Sequence, residues 1–526
     1  MNALLLRLTL GRVWVRTLSW GAAIAVLMIV GIAAYQEAFP DPAQREAAIA
    51  GLASQPALYA TLGKPGDIGS LGGFVTWRMG QFECVVIALY AALTLAVLTR
   101  GDEENGLREA VWAGSVRRTA PLTAALLVVG AGTLLLGAVI TLVMLVEGTP
   151  ALGAVLFGAA CAGAGLAHLG IAALFSQLAT SRRAVSGLTG AALATGYVLR
   201  TLADANTEVS WLRWLSPLGW AQYVDAYTTN RAWPLLLLLG LAVLTTTAAL
   251  AMEARRDLGA GLLHARPGPA HGRSLRTIEL LTLRLHTGMI LGWAAGLGVL
   301  AASIGAIVDG VSTVLAGNPQ FSAMLAAVAG GERRFTEAFL ATLFQIIALL
   351  IALVAAQGVV SAREAERTGQ AEVLLARPLT RARWLGAHLL TGLLAATLVA
   401  TLAGSAAALS WWATGGHDTS VLVAAALNSL PAAAVFAGLA TLLIAVLPRW
   451  AVTLGTTLPL AGFVLALFGP LIDLPTWLLD LSPFRHLALL PAESFDLPSA
   501  LVLLAVAAVL AGAGLVLVQR RDLRIG

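Results

Sequence analysis

The amino-acid sequence predicts an all-α polytopic membrane protein with about twelve transmembrane helices, built as two six-helix repeats that run in the same sense. Three observations carry this. Of 526 residues, 58% are hydrophobic and only 12% are charged, whereas soluble domains are roughly 45–50% apolar and about 25% charged. Twelve apolar runs are long enough to cross a bilayer core of about 30 Å as helices. A charged loop between the second and third runs recurs 263 residues later, at Arg100 and Arg363.

The runs fall near 19–35, 82–99, 121–146, 151–178, 184–203 and 233–252, then near 287–309, 338–360, 385–411, 420–447, 450–472 and 499–518. The first resembles a signal peptide, with arginines ahead of it and Ala33-Ala34 behind. Its long polar lead and a matching segment opening the second half make it a retained helix. Glu147 to Pro150 is a tight turn between the third and fourth runs.

Between the halves, "HARPGPAHGRS" is rich in helix breakers. The predicted division is 1–260, a first transmembrane half; 261–286, a linker and interfacial helix; and 287–526, a second transmembrane half. Leu275, Ile278, Leu281 and Leu285 form an apolar stripe with Arg276 and Glu279 off it, as in a helix lying on the membrane surface. Leu4 to Thr17 is a poorer version. Long outer loops are expected at 36–80 and 310–336. Two more, at 204–232 and 473–498, carry Trp211, Trp214, Trp220 and Trp477, which favour the headgroup level.

Arginine placement orients the chain. With the N-terminus inside, Arg100, Arg108, Arg117, Arg118, Arg182, Arg363, Arg377, Arg381, Arg520 and most others fall on the cytoplasmic side, while the outer loops are acidic. This puts both termini in the cytoplasm, and 32 arginines against one lysine suggest a GC-rich bacterial genome, so the multi-pass chain is expected in a bacterial plasma membrane. The net charge of +5 follows from those loops, and no basic run with interleaved aromatics suggests nucleic acid. Cys84 and Cys161 have no metal or disulfide spacing and read as small buried hydrophobes. Lys64, the only lysine, precedes Pro65, so no Walker A phosphate loop exists. No catalytic triad or zinc motif is present.

The repeated loop bears the functional signal. "RGDEENGLREAVWAGSVRRTAPL" starts at Arg100 and "REAERTGQAEVLLARPLTRARWL" at Arg363. At that spacing Glu103 pairs with Glu366, Gly106 with Gly369, Glu109 with Glu372 and Arg118 with Arg381. A second echo is "LSP" at Leu215–Pro217 and Leu481–Pro483. Because each half has an even number of spans, both loops lie on one side, related by an axis along the membrane normal. Each glycine breaks the membrane helix, a short helix follows, and Pro378 stops the second one. Acid in a zone where positive charge is the norm, placed there twice, marks a docking surface.

"REAERTGQAEVLLARPLTRARWLGAHLL" resembles the loop after the second helix in type-two ABC exporter permeases, and the chain as a whole resembles the fused, two-half permeases of actinobacterial antibiotic or multidrug export. The resemblance implies that each half is like a type-two exporter transmembrane domain. It implies coupling roles for Glu103, Glu104, Gly106, Glu109 and Arg118, and for Glu366, Gly369, Glu372, Pro378 and Arg381. The partners it implies are two copies of an ABC ATP-binding subunit, which hold ATP and Mg, with no cofactor on this chain. In the first copy Ser115 stands where the pattern has proline.

The expected activity is transport rather than an enzymatic reaction: outward movement of a hydrophobic antibiotic, drug or lipid through a path lined by Tyr90, His168, Tyr197, Phe344, Gln345 and Phe463. A proton-driven multidrug carrier is the main alternative; it needs ionisable groups inside the membrane, and His168 is the one read as lying deep in a span, with Glu83 at a span end. A lipid-modifying membrane enzyme is the other alternative, with Asp67, Asp204 and Asp225 placed by position only.

Overall fold

The computed structural model describes residues 3–38, 62–63, 66–114, 116–205, 207–257, 261, 276–317, 332–413, 415–416, 418–468 and 474–521. Among these every regular element is helical. The chain divides into two compact units, Met1–Gly268 and Pro269–Gly526.

In the first unit the long helices are α1 (Ala3–Ala38), α2 (Leu71–Ala96, continued as a π-turn Val97–Gly101), α4 (Ala120–Val146), α5 (Ala151–Leu178), α6 (Arg182–Ala205) and α8 (Pro234–Arg255). Two short helices join them, α3 (Leu107–Trp112) and α7 (Pro217–Tyr223). The second unit repeats the order: α9 (Ile278–Gly317), α10 (Glu332–Arg367), α11 (Gln370–Leu375), α12 (Arg381–Ala413), α13 (Ser420–Leu427) with α14 (Leu430–Val446), α15 (Ala451–Phe468), α16 (Thr476–Leu479) and α17 (Leu497–Arg520).

Ten described helices are long and apolar enough to cross a membrane, not twelve. The exceptions are the fifth helix of each half. α6 carries Arg182, Arg183, Arg200 and Asp204, and α15 is apolar but short. Two other expectations need correction. The interfacial helices are not separate elements: α1 runs unbroken from Ala3, and α9 unbroken from Ile278. The second span begins at Leu71, not near 82, so the 36–80 loop is shorter than predicted. Likewise α9 extends to Gly317 and α10 starts at Glu332. The 261–275 linker, with His264 and His271, lies outside the described residues apart from Gly261.

Polar punctuation sets several helix starts. Ser70 accepts from the Gly73 amide at 3.1 Å to cap α2, and Asp496 accepts from the Ser499 amide at 3.2 Å to cap α17. Proline occupies the first turn of α4, α7, α8, α14 and α17, where its missing N–H costs nothing.

In the first unit α5 packs on α2, α4 and α8; in the second, α12 packs on α9 and α10, and α14 on α10 and α17. Lipid gives no hydrophobic drive between helices, so close backbone approach matters. At the α4–α5 crossing a Cβ on Gly137 would stand 2.5 Å from the Gly158 carbonyl oxygen, and at the α10–α12 crossing one on Gly358 would stand 2.5 Å from Gly392 Cα.

Candidate functional site

The two repeated loops fold alike. Each follows the end of a second helix, turns at a glycine in the left-handed region (Gly106, φ 71°; Gly369, φ 74°) and enters a six-residue helix, α3 or α11. A Cβ at either glycine would meet nothing within 4 Å. Glycine is therefore demanded by the backbone angle rather than by packing. Over 106–114 and 369–377 the pattern of buried and exposed positions is the same, residue for residue. Exposed in both are the pairs Glu109 and Glu372, Ala110 and Val373, Ala113 and Ala376, and Gly114 and Arg377. Val373, 74% exposed, is an apolar tip on that face.

Buried ion pairs hold each loop against its own unit. The π-turn at the end of α2 widens the helix and leaves Arg100 pointing inward, 1% exposed. Glu103 then accepts from three arginines: Arg100 at 2.6 Å, Arg108 at 2.8 Å, and Arg256. Arg108 also meets Glu253 at 2.8 Å, and Arg256 meets Glu253 at 3.5 Å. Arg100 Nε donates to the Ser176 carbonyl at 2.6 Å. Thus the loop is tied to the ends of α5 and α8. In the second unit Glu366 accepts from Arg363 at 2.7 Å and from Arg521 at 2.5 Å, and Arg521 reaches the Ile444 carbonyl. Arg381 donates to the Arg521 carbonyl.

These contacts divide the predicted coupling residues. Glu103 and Glu366 face inward and position their loops. Glu104 accepts from the Arg182 amide at 2.7 Å, capping the start of α6. Arg118, half-exposed, lies 3.5 Å from Asp257 and over the Trp112 ring at 5.8 Å. Glu109, Glu372 and Pro378 are exposed. The cluster was missed in the sequence because Glu253 and Arg256 lie about 150 residues from Glu103, with no local pattern joining them.

The "LSP" echo is also structural. Ser216 Oγ donates to the Gly196 carbonyl at 2.7 Å, and Ser482 Oγ donates to the Gly462 carbonyl at 2.7 Å. In each half the serine fastens a short helical segment, α7 or Pro483–His486, to the fifth helix. Nearby, Trp214, Tyr223 and Trp233 form a three-ring cluster with centroids 5.1–5.8 Å apart.

Of the six predicted path residues, three lie in each unit. Tyr90 bonds Thr17 at 2.6 Å and packs near Trp20. His168 is 1% exposed, its Nδ1 2.8 Å from the Ala164 carbonyl oxygen. Tyr197 lies under Arg200 at 4.8 Å. Phe344 is in the second unit's core, Gln345 is half-buried, and Phe463 meets Phe484 edge-on at 6.1 Å.

Two ionisable residues were misjudged from the sequence. Glu83 is at the midpoint of α2, not at a span end; it is 0% exposed and neither carboxyl oxygen has a hydrogen-bond partner. Arg200, 0% exposed within α6, lies 3.4 Å from Asp204, which also meets Arg213 at 2.5 Å. His168 is therefore not the sole ionisable residue deep in a helix.

Comparison with known proteins agrees with this layout. Residues 275–518 match the family model described as the C-terminal domain of the multidrug efflux system permease Rv1217c. Along its length the chain is similar to the multidrug efflux system permease protein Rv1217c of Mycobacterium tuberculosis. The two are 34% identical over 528 residues, which cover 99% of this chain and 95% of that protein.

Proposed function

The chain belongs to the family of the multidrug efflux permease Rv1217c, and from that premise we propose that it is the membrane subunit of an ATP-driven ABC exporter. It is a multi-pass membrane protein and an efflux permease. The finer reading is that two ATP-binding subunits, which would hold ATP and Mg, dock on α3 and α11 from the cytoplasm, and that a hydrophobic antibiotic, drug or lipid leaves through the plasma membrane.

One observation supports this most: two loops with the same left-handed glycine, the same short helix and the same outward face. A surface kept twice in one chain suits a partner bound twice. The inward ion pairs explain how force on such a loop would reach the spans. Glu103 joins α3 to the ends of α2 and α8, and Glu366 joins α10 to the segment after α17. A push on either loop would be passed into its own unit through buried, charge-assisted bonds.

The test is co-purification with the ATP-binding protein encoded alongside. Glu109→Arg and Glu372→Arg change exposed positions, so the permease should keep its melting temperature. Each single change should reduce bound ATPase towards one copy, and the double change should abolish binding and drug export. Two copies retained by the double variant would refute the docking assignment.

A proton-driven carrier is the second reading, and Glu83 is what favours it, as an intramembrane carboxyl without a hydrogen-bond partner. Export that survives ATP depletion but stops when the proton gradient is collapsed would select it.

A further inference from the structure

Towards the end of the first unit opposite its arginine-rich loop, a cavity with about 60 Å³ of free space lies between the first half of α2, α5 and the 221–228 segment. Three polar atoms on its lining residues have no hydrogen-bond partner: Thr76 Oγ1, Gln81 Nε2 and Gln222 Oε1. Gln81 is 8% exposed. Buried polar groups are nearly always paired, and each exception calls for an explanation. Three on residues lining one small space give it hydrogen-bonding capacity that the protein itself does not use.

The surroundings give that space its shape. Gly63 has φ 94°, a backbone conformation that favours glycine, and the Gln222 amide packs against it, 2.0 Å from where a Cβ would stand. The Trp77 indole N–H is spent on the Gly63 carbonyl at 2.8 Å, and Trp77 and Phe157 both line the cavity as apolar wall. The Cys84 and Cys161 thiols, 3.4 Å apart, add a further apolar surface. Among the described lining residues Asp225 alone is charged, and its Oδ2 accepts from Thr229 at 2.6 Å. The fold itself does not require polarity here. At spacings of 263 and 266 residues the second half has Phe339, Phe344 and Ala488 in place of Thr76, Gln81 and Gln222.

We propose that this cavity binds the neutral polar head group of a lipophilic ligand, one that accepts a hydrogen bond from Gln81 Nε2 and donates one to Gln222 Oε1, as a carboxamide, lactam or urea does. The Thr76 hydroxyl serves either role. One water needs roughly 10–15 Å³ of such space, so the cavity takes about four to six heavy atoms. That is a head group and not a whole drug. The proposal deepens the efflux reading and rests on it, naming the class of cargo that the first half recognises.

The test is equilibrium binding of radiolabelled benzamide to the purified full chain in lipid nanodiscs. Saturable binding is expected. Competition by N,N-dimethylbenzamide, which lacks the N–H donor, should be at least tenfold weaker than by unlabelled benzamide, and benzylamine, a cation, should be weaker too. Gln81→Leu and Gln222→Leu should each weaken binding at least tenfold. If either variant fails to fold, Thr76→Val supplies the same comparison with a smaller expected loss of about threefold. Absent saturable binding, or unchanged affinity in the variants, would mean that the cavity holds only water and would overturn the proposal. Tighter competition by benzylamine would overturn the neutral head group. The assay uses neither ATP nor transport. A chain that binds benzamide but exports no dye removes the efflux reading and keeps the site; one that exports dye but does not bind does the reverse.

Discussion

Glu253→Val should damage the first unit more than Arg108→Ala, and combining the two should repair much of the loss. The pair is 2.8 Å apart with side chains 2% and 0% exposed. Breaking a buried pair by removing one partner costs about 3–5 kcal/mol, because the other charge is left uncompensated. Here the cluster's net charge ranks the two singles. Arg100, Arg108 and Arg256 against Glu103 and Glu253 carry a formal +1. Deleting Glu253 raises this to +2 in a low-dielectric site, whereas deleting Arg108 brings it to zero. The double variant returns it to +1, the value in the second unit, where Arg363 and Arg521 face Glu366. That unit already has the replacement in place. Ala371, 1% exposed, stands 263 residues after Arg108, and Val518, 0% exposed, stands 265 after Glu253. A unit of this size loses roughly 2–4 °C of melting temperature per kcal/mol. Glu253→Val should therefore lower the detergent melting temperature by about 6–20 °C, and the double variant should recover at least half of that. A double variant whose loss equals the sum of the singles, or a Glu253→Val milder than Arg108→Ala, would refute the cluster as a coupled unit.

Three further outcomes follow from the geometry. Gly106→Ala and Gly369→Ala should each cost about 1–2 kcal/mol, since only the left-handed backbone is penalised; Asn should be tolerated better than Ala, and equal melting temperatures for the two would argue against it. Ser216→Ala and Ser482→Ala should each cost about 1 kcal/mol for the bond lost to the fifth helix; because the bonds match at 2.7 Å, a clear loss in one half with none in the other would contradict their equivalence. Glu83→Leu should leave the melting temperature unchanged or raise it, as an unpaired polar group is removed from the interior, and a fall of several degrees would show that the carboxyl is structurally supported.

Much of the fold was legible because lipid imposes a long apolar run on every span. Runs read at 121–146 and 151–178 match α4 and α5 to within a residue. The errors have a common cause. The start of α2 contains Gly72, Gly73, Thr76, Arg78 and Gln81, which lower local hydropathy below that of a lipid-facing helix. Thr76 and Gln81 line an internal cavity, so the sequence there reads as loop while the chain folds as span. The same displacement made Glu83 look terminal. The glycine turns of the two repeated loops were readable because a break followed by a helix-forming run is local information. The destination of Glu103 was not, because its distant partner, Arg256, lies 153 residues away just past the end of α8.

The two halves keep what a repeated partner would need and differ elsewhere. Loop backbone, the pattern of exposed positions, the arginine–glutamate pair at the end of the second helix and the serine clasp on the fifth helix recur. The outward side chains are not identical, with Val373 and Arg377 where the first loop has Ala110 and Gly114, and the larger difference is interior. The first unit spends Arg108 and Glu253 where the second has Ala371 and Val518, and it lines a cavity with Gln81 and Gln222 where the second has Phe344 and Ala488. Buried polar groups are rarely a source of net stability, so their restriction to one half is not explained by folding alone. A loop held by five buried charges resists displacement more stiffly than one held by three, and the stiffer loop belongs to the unit with the polar cavity. If ATP-driven motion enters through both loops, the first unit is the one in which loop displacement should change the hydrogen-bonding cavity. Benzamide affinity should then differ between nucleotide-free and ATP-trapped complexes, and the Arg108→Ala/Glu253→Val variant should reduce that difference without altering affinity in the absence of the ATPase. Equal affinity in both nucleotide states of the unmodified complex would separate the cavity from the transport cycle.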